Sequence, residues 1–325
     1  MMAREREKQR SAQRRLKHHI EYALLRSLLF VLRLLPIAGA LWVARRLGDF
    51  TFDVIRIRRE VTLRNIEETL GATLSARERI RIARASYRNA ASTFIEFGLF
   101  PHWGIKALRE RIKMGPVRTM REAAKYERGI LYLTAHVGNW EMLGAAMAWL
   151  DGPIYVVAGT QRNHMVNRYI THLRESFEMR VLEVGSALKE VMRKLRQNER
   201  VALVADQDAG PTGLFIEFLG RPASIAIGPA RFAYRTGAPI VIGLDRRVDN
   251  GHHETRLYPP IVADRSRPEA EETKRIMGIY ARILEDFIRQ YPDQWFWMHR
   301  RWKTKPPGHM SHQASLRGGA GDSAL

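Results

Sequence analysis

The chain contains no cysteine. That excludes a disulfide framework, a thiolate nucleophile and any cysteine-ligated zinc site. Acidic residues are also scarce. Only 34 Asp+Glu stand against 54 Lys+Arg, a formal net charge of +20. Such a balance speaks of partners rather than of fold: nucleic acid, an anionic membrane face, or acidic and phosphorylated substrates. Zinc-finger spacing, a basic region followed by heptads and an RNP-type aromatic run are all missing. These are the marks that would point to nucleic acid, so no nucleic-acid partner is expected. Long hydrophobic runs are missing too. In "EYALLRSLLFVLRLLPIAGALWVARRLGDF" the longest uncharged stretch, residues 34–44, is eleven residues, against the roughly 20 of a spanning helix. Arg33 inside the would-be apolar core, with no clean cleavage site after it, argues against a secretory signal. There is no G-x-S-x-G elbow, P-loop, G-x-G-x-x-G or H-E-x-x-H. That removes the usual serine-hydrolase, nucleotide and zinc-protease readings.

The 325 residues, 45% of them hydrophobic, suffice for a large core. Residues 1–20 carry seven Lys/Arg against two Glu, and the apolar stretch follows directly. Together they read as an amphipathic segment over residues 1–50, broken at Pro36, that lies in a membrane interface. The plainer alternative is a helix packed on the rest of the protein. Residues 51–304 read as the main domain, helical over 51–115 and α/β over 116–304, with a disordered tail at 305–325. In the helical part, "DVIRIRREVTLRNIEETLG" ends on a glycine stop, and Ser75 and Glu78 have capping-box spacing. From residue 129 the pattern alternates. "GILYLT", "PIYVVAG", "RVALVAD" and "APIVIGLDRRV" read as strands, with "NHMVNRYITHLRESF" and "ALKEVMRKLRQNE" as helices between them. The expected fold is α/β, a central, mostly parallel sheet covered by helices. "LFIEFLGRPASIA" reads as a hairpin over the sheet edge and "PEAEETKRIMGIYARILEDFIRQYP" as a long helix.

In "GILYLTAHVGNWEMLG", His136 ends the first strand and Glu141 opens the following helix. Their spacing carries no information. With 11 His and 34 acidic residues among 325, chance supplies about one such pair. Position carries more, because α/β sheets place their sites at the carboxyl ends of strands. Gly138 suits the tight turn and Asn139 an N-cap. A strand-end His and a first-turn Glu can face each other, the Glu orienting the imidazole and the His taking a proton from a hydroxyl. A capping Glu beside a solvent-facing His fits equally well. Asp206 and Asp208 close the strand "RVALVAD" as a polar loop, a thin case for a metal.

"LTAHVGNWEMLG", "ADQDAGPTGLFIEFLGRPASIAIGPARFAYRTGAPIV" and "YPDQWFWMHRRWKT" occur in that order over roughly residues 120–304. Together they resemble the lipid A biosynthesis acyltransferases, the late lauroyl and myristoyl transferases within the lysophospholipid acyltransferase group. The resemblance implies transfer of an acyl chain from acyl carrier protein, or acyl-CoA, to a hydroxyl of an anionic lipid acceptor. It places that reaction at the cytoplasmic face of the inner membrane, and no cofactor or metal is expected. His136 and Glu141 match the family's His-x4-acid pattern and are the expected catalytic pair, with Glu141 orienting His136. Asn163, Asn167 and Arg174 match the polar helix start and downstream arginine. Asn163-His164 departs from the usual Asn-Pro at that helix start. Asp206 and Asp208 match the D-x-D-x-G loop, and Arg231 the G-P-A-R start. These six are the expected substrate-binding residues, with Arg174 as the cation near the thioester carbonyl. "QWFWMHRRW" fits a membrane-interface belt or acyl-chain contact, or else a packed helix end. His299 is expected to be structural. The alternatives are a lysophospholipid or another glycolipid as acceptor and, after these, a basic nucleic-acid-binding protein.

Overall fold

A computed structural model describes residues 2–183 and 187–307. Most of the tail expected to be disordered lies outside them. The chain opens with α1 (Met2–Leu32), breaks at Pro36 and resumes as α2 (Ile37–Phe50). A π-helical turn, Thr51–Ile55, leads to α3 (Arg59–Leu70) and α4 (Ala76–Arg111). The Pro36 break follows because proline cannot continue a helix from within but suits its first turn. The Ser75–Glu78 capping box forms as expected: Glu78 N donates to Ser75 Oγ at 3.3 Å, and Ser75 N to Glu78 Oε2 at 2.8 Å. Leu29 and Leu32 of α1 pack with Ala40, Ala44, Ile95 and Leu99, joining α1, α2 and α4 through small side chains. Among the described residues no helix is long and apolar enough to cross a membrane.

The sheet elements follow. β1 (Ile112–Lys113) and α5 (Arg118–Ala124) precede β2 (Ile130–Thr134), α6 (Trp140–Asp151), β3 (Ile154–Ala158), α7 (His164–Glu175) and β4 (Met179–Glu183). Then come α8 (Ala187–Arg196), β5 (Arg200–Val204), the hairpin β6 (Leu214–Phe218) and β7 (Arg221–Ile225), and α9 (Gly228–Thr236). β8 (Ile240–Arg247), β9 (His253–Leu257) and α10 (Glu269–Gln290) complete the fold. The main sheet has seven strands in the order β1-β9-β8-β2-β5-β3-β4. Every pair is parallel except β8–β9. The α/β expectation therefore holds. β4, β9 and the two-residue β1 were not legible: they are short or half-exposed.

β2 lies at the centre and is buried at all five positions, as a strand covered on both faces must be. Its side chains alternate between two cores. Leu131 and Leu133 join α8, α9, α10 and the hairpin, while Ile130 and Tyr132 join α5, α6 and α7. The hairpin forms a separate two-stranded sheet rather than extending the main one. Trp295, Trp297 and Trp302 are all buried among these core residues, so of the two readings open for residues 294–302 the packed one holds for these three rings. Tryptophan serves either setting, and only the fold decides.

Candidate active site

The parallel register of β2 and β5 places the key residues. Thr134 pairs with Val204, so His136 and Asp206 lie level, each two residues beyond the ladder. His136 Nδ1 donates to Asp206 Oδ1 at 2.7 Å. Asp206 Oδ2 accepts from His136 N at 3.1 Å and from Trp295 Nε1 at 2.8 Å. The carboxylate is 3% exposed and held by three donors. Burial alone would raise the Asp206 carboxyl. The imidazole beside it and the indole donor reverse that and hold it at about 2. Burial works against a proton on His136, but the Asp206 charge and hydrogen bond, with Glu141 adding, leave the imidazole above its ordinary value. With Nδ1 committed to Asp206, the other ring nitrogen is the basic one. Trp140 meets the ring edge-on at 4.8 Å, and Phe296 lies 6.2 Å away.

Glu141 does not orient His136. Its carboxylate takes the guanidinium fork of Arg174, with Nε at 3.1 Å and Nη2 at 2.6 Å. The orienting acid is Asp206, expected above as a substrate ligand. Sequence order hid this because the acid lies 70 residues away on a neighbouring strand. The available signal was that both strands end on a polar residue, and the missing fact was that β5 is the neighbour of β2. Both His136 and the Glu141–Arg174 pair line one cavity of about 570 Å³. It lies between α6 and the sheet, with Gln161 and Gln207 also lining it beyond the strand ends, and with Tyr132, Leu143, Gly144, Met147 and Met179 among its walls. That size is ordinary for a ligand site.

The remaining expected residues divide. Asn163 caps α7 through Met165 N at 3.1 Å, and its Nδ2 donates to His18 O at 2.8 Å and Glu21 Oε2 at 3.0 Å. It ties α1 to α7 rather than lining the cavity. Asn167 Oδ1 accepts from Gln161 N at 2.8 Å and closes the preceding loop. Asp208 accepts from Thr304 at 2.7 Å, and its backbone N donates to His299 Nε2 at 3.0 Å. That contact accords with a structural His299. Arg231 pairs with Glu269 at 3.5 Å on half-exposed α9 and does not line the cavity. Asn139 caps α6, accepting from Met142 N at 3.0 Å. Beneath it lie Glu96, Asp245, Arg247 and His253, which sequence reading did not single out because α4, β8 and β9 bring them together only in space.

The sequence pattern of the bacterial lipid A biosynthesis acyltransferases matches residues 8–304. The chain is 25% identical to the lipid A biosynthesis lauroyltransferase of Escherichia coli K12 over 264 residues, which is 81% of this chain and 84% of that protein. It is 22% identical to the lipid A biosynthesis palmitoleoyltransferase of the same organism over 280 residues, 85% and 89% of the two chains. It is 25% identical to the phosphatidylinositol mannoside acyltransferase of Mycolicibacterium smegmatis over 225 residues, 68% and 72%. A sheet with a His–Asp pair at its carboxyl edge, a cavity lined by that His and by both polar and apolar side chains, and a match along nearly the whole chain agree: the protein is an acyltransferase of the bacterial lipid A biosynthesis acyltransferase family.

Proposed function

We propose that the protein transfers a fatty acyl chain from an acyl thioester, carried on acyl carrier protein or coenzyme A, to a hydroxyl of a lipid A precursor. The observation that carries this reading is the His136–Asp206 hydrogen bond at 2.7 Å, with His136 lining a cavity of about 570 Å³. The acyl chain lies along the apolar wall formed by Leu143, Met147 and Met179. His136 takes the proton of the acceptor hydroxyl, and the oxygen forms a bond to the thioester carbonyl carbon. The tetrahedral adduct collapses with cleavage of the carbon–sulfur bond, and the imidazolium returns the proton to the thiolate. Asp206 holds the ring and offsets its charge. Such a base contributes about 10²–10⁴-fold in rate. Arg174, fixed by Glu141 at the cavity wall, is the cation closest in kind to what the developing oxyanion needs. No acyl-enzyme is required.

The site works at the cytoplasmic face of the inner membrane. Exposed apolar side chains on α1, α2 and the turn between them, among them Leu24, Val31, Leu34, Trp42 and Phe50, support this. So does the net charge of +20, which suits an anionic leaflet and an acidic carrier. A related acceptor, a phosphorylated inositol glycolipid, is the second reading. It is favoured by the similarity to a phosphatidylinositol mannoside acyltransferase. Incubation of the full chain with thioesters of defined length and a panel of lipid acceptors, read by mass spectrometry, separates the two. Acylated lipid A precursor is the expected product. Product only on the inositol lipid moves the acceptor, and no ester with any acceptor removes the proposal.

A further inference from the structure

The turn that carries His136 rests on a buried quartet of charges. Glu96 is 1% exposed, Asp245 0% and His253 1%. Arg247 grips Glu96 with both Nη atoms, the Nη2–Oε2 distance being 2.7 Å. His253 Nδ1 donates to Asp245 Oδ2 at 2.7 Å, and its Nε2 lies 3.5 Å from Glu96 Oε1. Two carboxylates thus face two cations, one from α4 and three from β8 and β9. The set is neutral only with His253 protonated, and the two acids do hold that proton: against burial, they raise the imidazole to about 9. A buried group of this kind is a poor way to gain stability, since well-packed apolar residues do as well. A specific arrangement needs another reason.

The reason lies in what the quartet touches. Asn139 N donates to Asp245 Oδ2 at 2.7 Å, and Asn139 Nδ2 donates to Glu96 Oε2 at 2.6 Å. Gly138 O accepts from Thr93 Oγ1 at 2.8 Å and Asn89 Nδ2 at 3.1 Å. Those two side chains also receive Arg247, through Nη2 at 3.3 Å and Nε at 3.0 Å. Gly138 sits at φ +53°, and a Cβ there would fall 2.3 Å from Asp245 O. The turn is therefore pressed onto β8, in a backbone conformation that favours glycine. His136 lies two residues before this contact and Glu141 two or three after it.

We propose that Glu96, Asp245, Arg247 and His253 are positioning residues, which, through Asn139, set where His136 and the Glu141–Arg174 pair stand relative to each other. This rests on the acyl-transfer reading of His136. None of the four lines the cavity, so their effect passes through the turn. An error of about 1 Å in such placement costs on the order of a hundredfold in rate.

Two variants test this, with Asn139→Asp as a third for comparison. Asn139→Ser keeps an oxygen that caps α6 but removes the donor to Glu96. His253→Gln keeps a hydrogen-bonding side chain but leaves the quartet one positive charge short. Each is expected to remain folded near neutral pH by circular dichroism and to lose about ten- to a hundredfold in kcat. KM for the acyl thioester stays within about threefold, because the cavity wall is untouched. The acid limb of the pH profile, which belongs to His136 and Asp206, stays where it is. Asn139→Asp, which puts an acceptor against Glu96, does worse than Asn139→Ser. Folded variants with wild-type kcat overturn the inference, as does a loss carried by KM alone. If the wild type itself makes no ester, or His136→Ala makes it equally well, the underlying acyl-transfer reading falls instead.

Discussion

Asp206 carries as much of the proposed chemistry as His136. Replacing it by Asn keeps the shape but removes the charge that holds the imidazole above its ordinary pKa. Burial then dominates and lowers it. The acid limb of kcat/KM should therefore move to lower pH in Asp206→Asn while kcat drops by roughly 10²–10⁴-fold, since the ring loses both its tautomer lock and its counter-charge. A pH profile of initial rates reads both. A variant whose limb stays put shows that Asp206 does not set the imidazole. Glu141→Gln tests a different function. It leaves the guanidinium of Arg174, 18% exposed at its side chain, without a charged partner. Breaking such a pair from one side costs about 3–5 kcal/mol when fully buried, and somewhat less here. Denaturant unfolding should show the loss in Glu141→Gln, and Glu141→Gln combined with Arg174→Met should regain part of it. If the double variant is no more stable than the single one, the ion pair does not explain the loss.

At the scale of elements, the strand–turn–helix from β2 to α6 was legible. A run of buried apolar residues, Gly138, and a capping Asn139 identify it locally. The partner strand was not, because strand order is a long-range property: β5 reaches β2 only after β3 and β4 have been laid outside it. That one fact moves the orienting acid from Glu141 to Asp206. The Trp295–Trp302 segment stayed undecided in the sequence for a related reason, since aromatic and basic residues in alternation describe a packed segment and a membrane belt equally well. The packing of α6 on the sheet gives its own test. Gly144 lines the cavity, and a Cβ there would fall 2.8 Å from the flexible Met179 Sδ. Gly144→Ala should narrow the apolar wall and turn the enzyme against its longest donors, by roughly tenfold or more per excess methylene. Competition between thioesters of different length, read by mass spectrometry, measures the ratio. An unchanged length preference places the chain elsewhere.

For the whole molecule, two consequences of charge follow. His253 is held at about 9 when folded, against an ordinary value of 6.5. A raised value stabilises the fold fully below about 6.5 and progressively less as pH rises through 9. The folded state should therefore lose on the order of 3 kcal/mol between neutral pH and pH 10, seen as a falling unfolding midpoint, and His253→Gln should flatten that slope. The net charge of +20 spread over the chain should speed encounter with acidic partners and anionic vesicles. That gain should fade as salt rises past about 0.15 M. The α/β class, the helical first third and the break at Pro36 were readable because each rests on local pattern. The buried quartet was not, since its members look like surface charges until α4, β8 and β9 meet.

In the proposed reaction His136, held by Asp206, is the base that deprotonates the acceptor. The most direct measurement is single-turnover acyl transfer from a defined thioester to a lipid A precursor across pH, wild type against His136→Ala. The wild-type rate is expected to rise through a midpoint above the ordinary histidine value. His136→Ala is expected to be slower by about 10²-fold or more, with that limb gone. A folded His136→Ala protein that transfers at the wild-type rate, with the same pH limb, contradicts it.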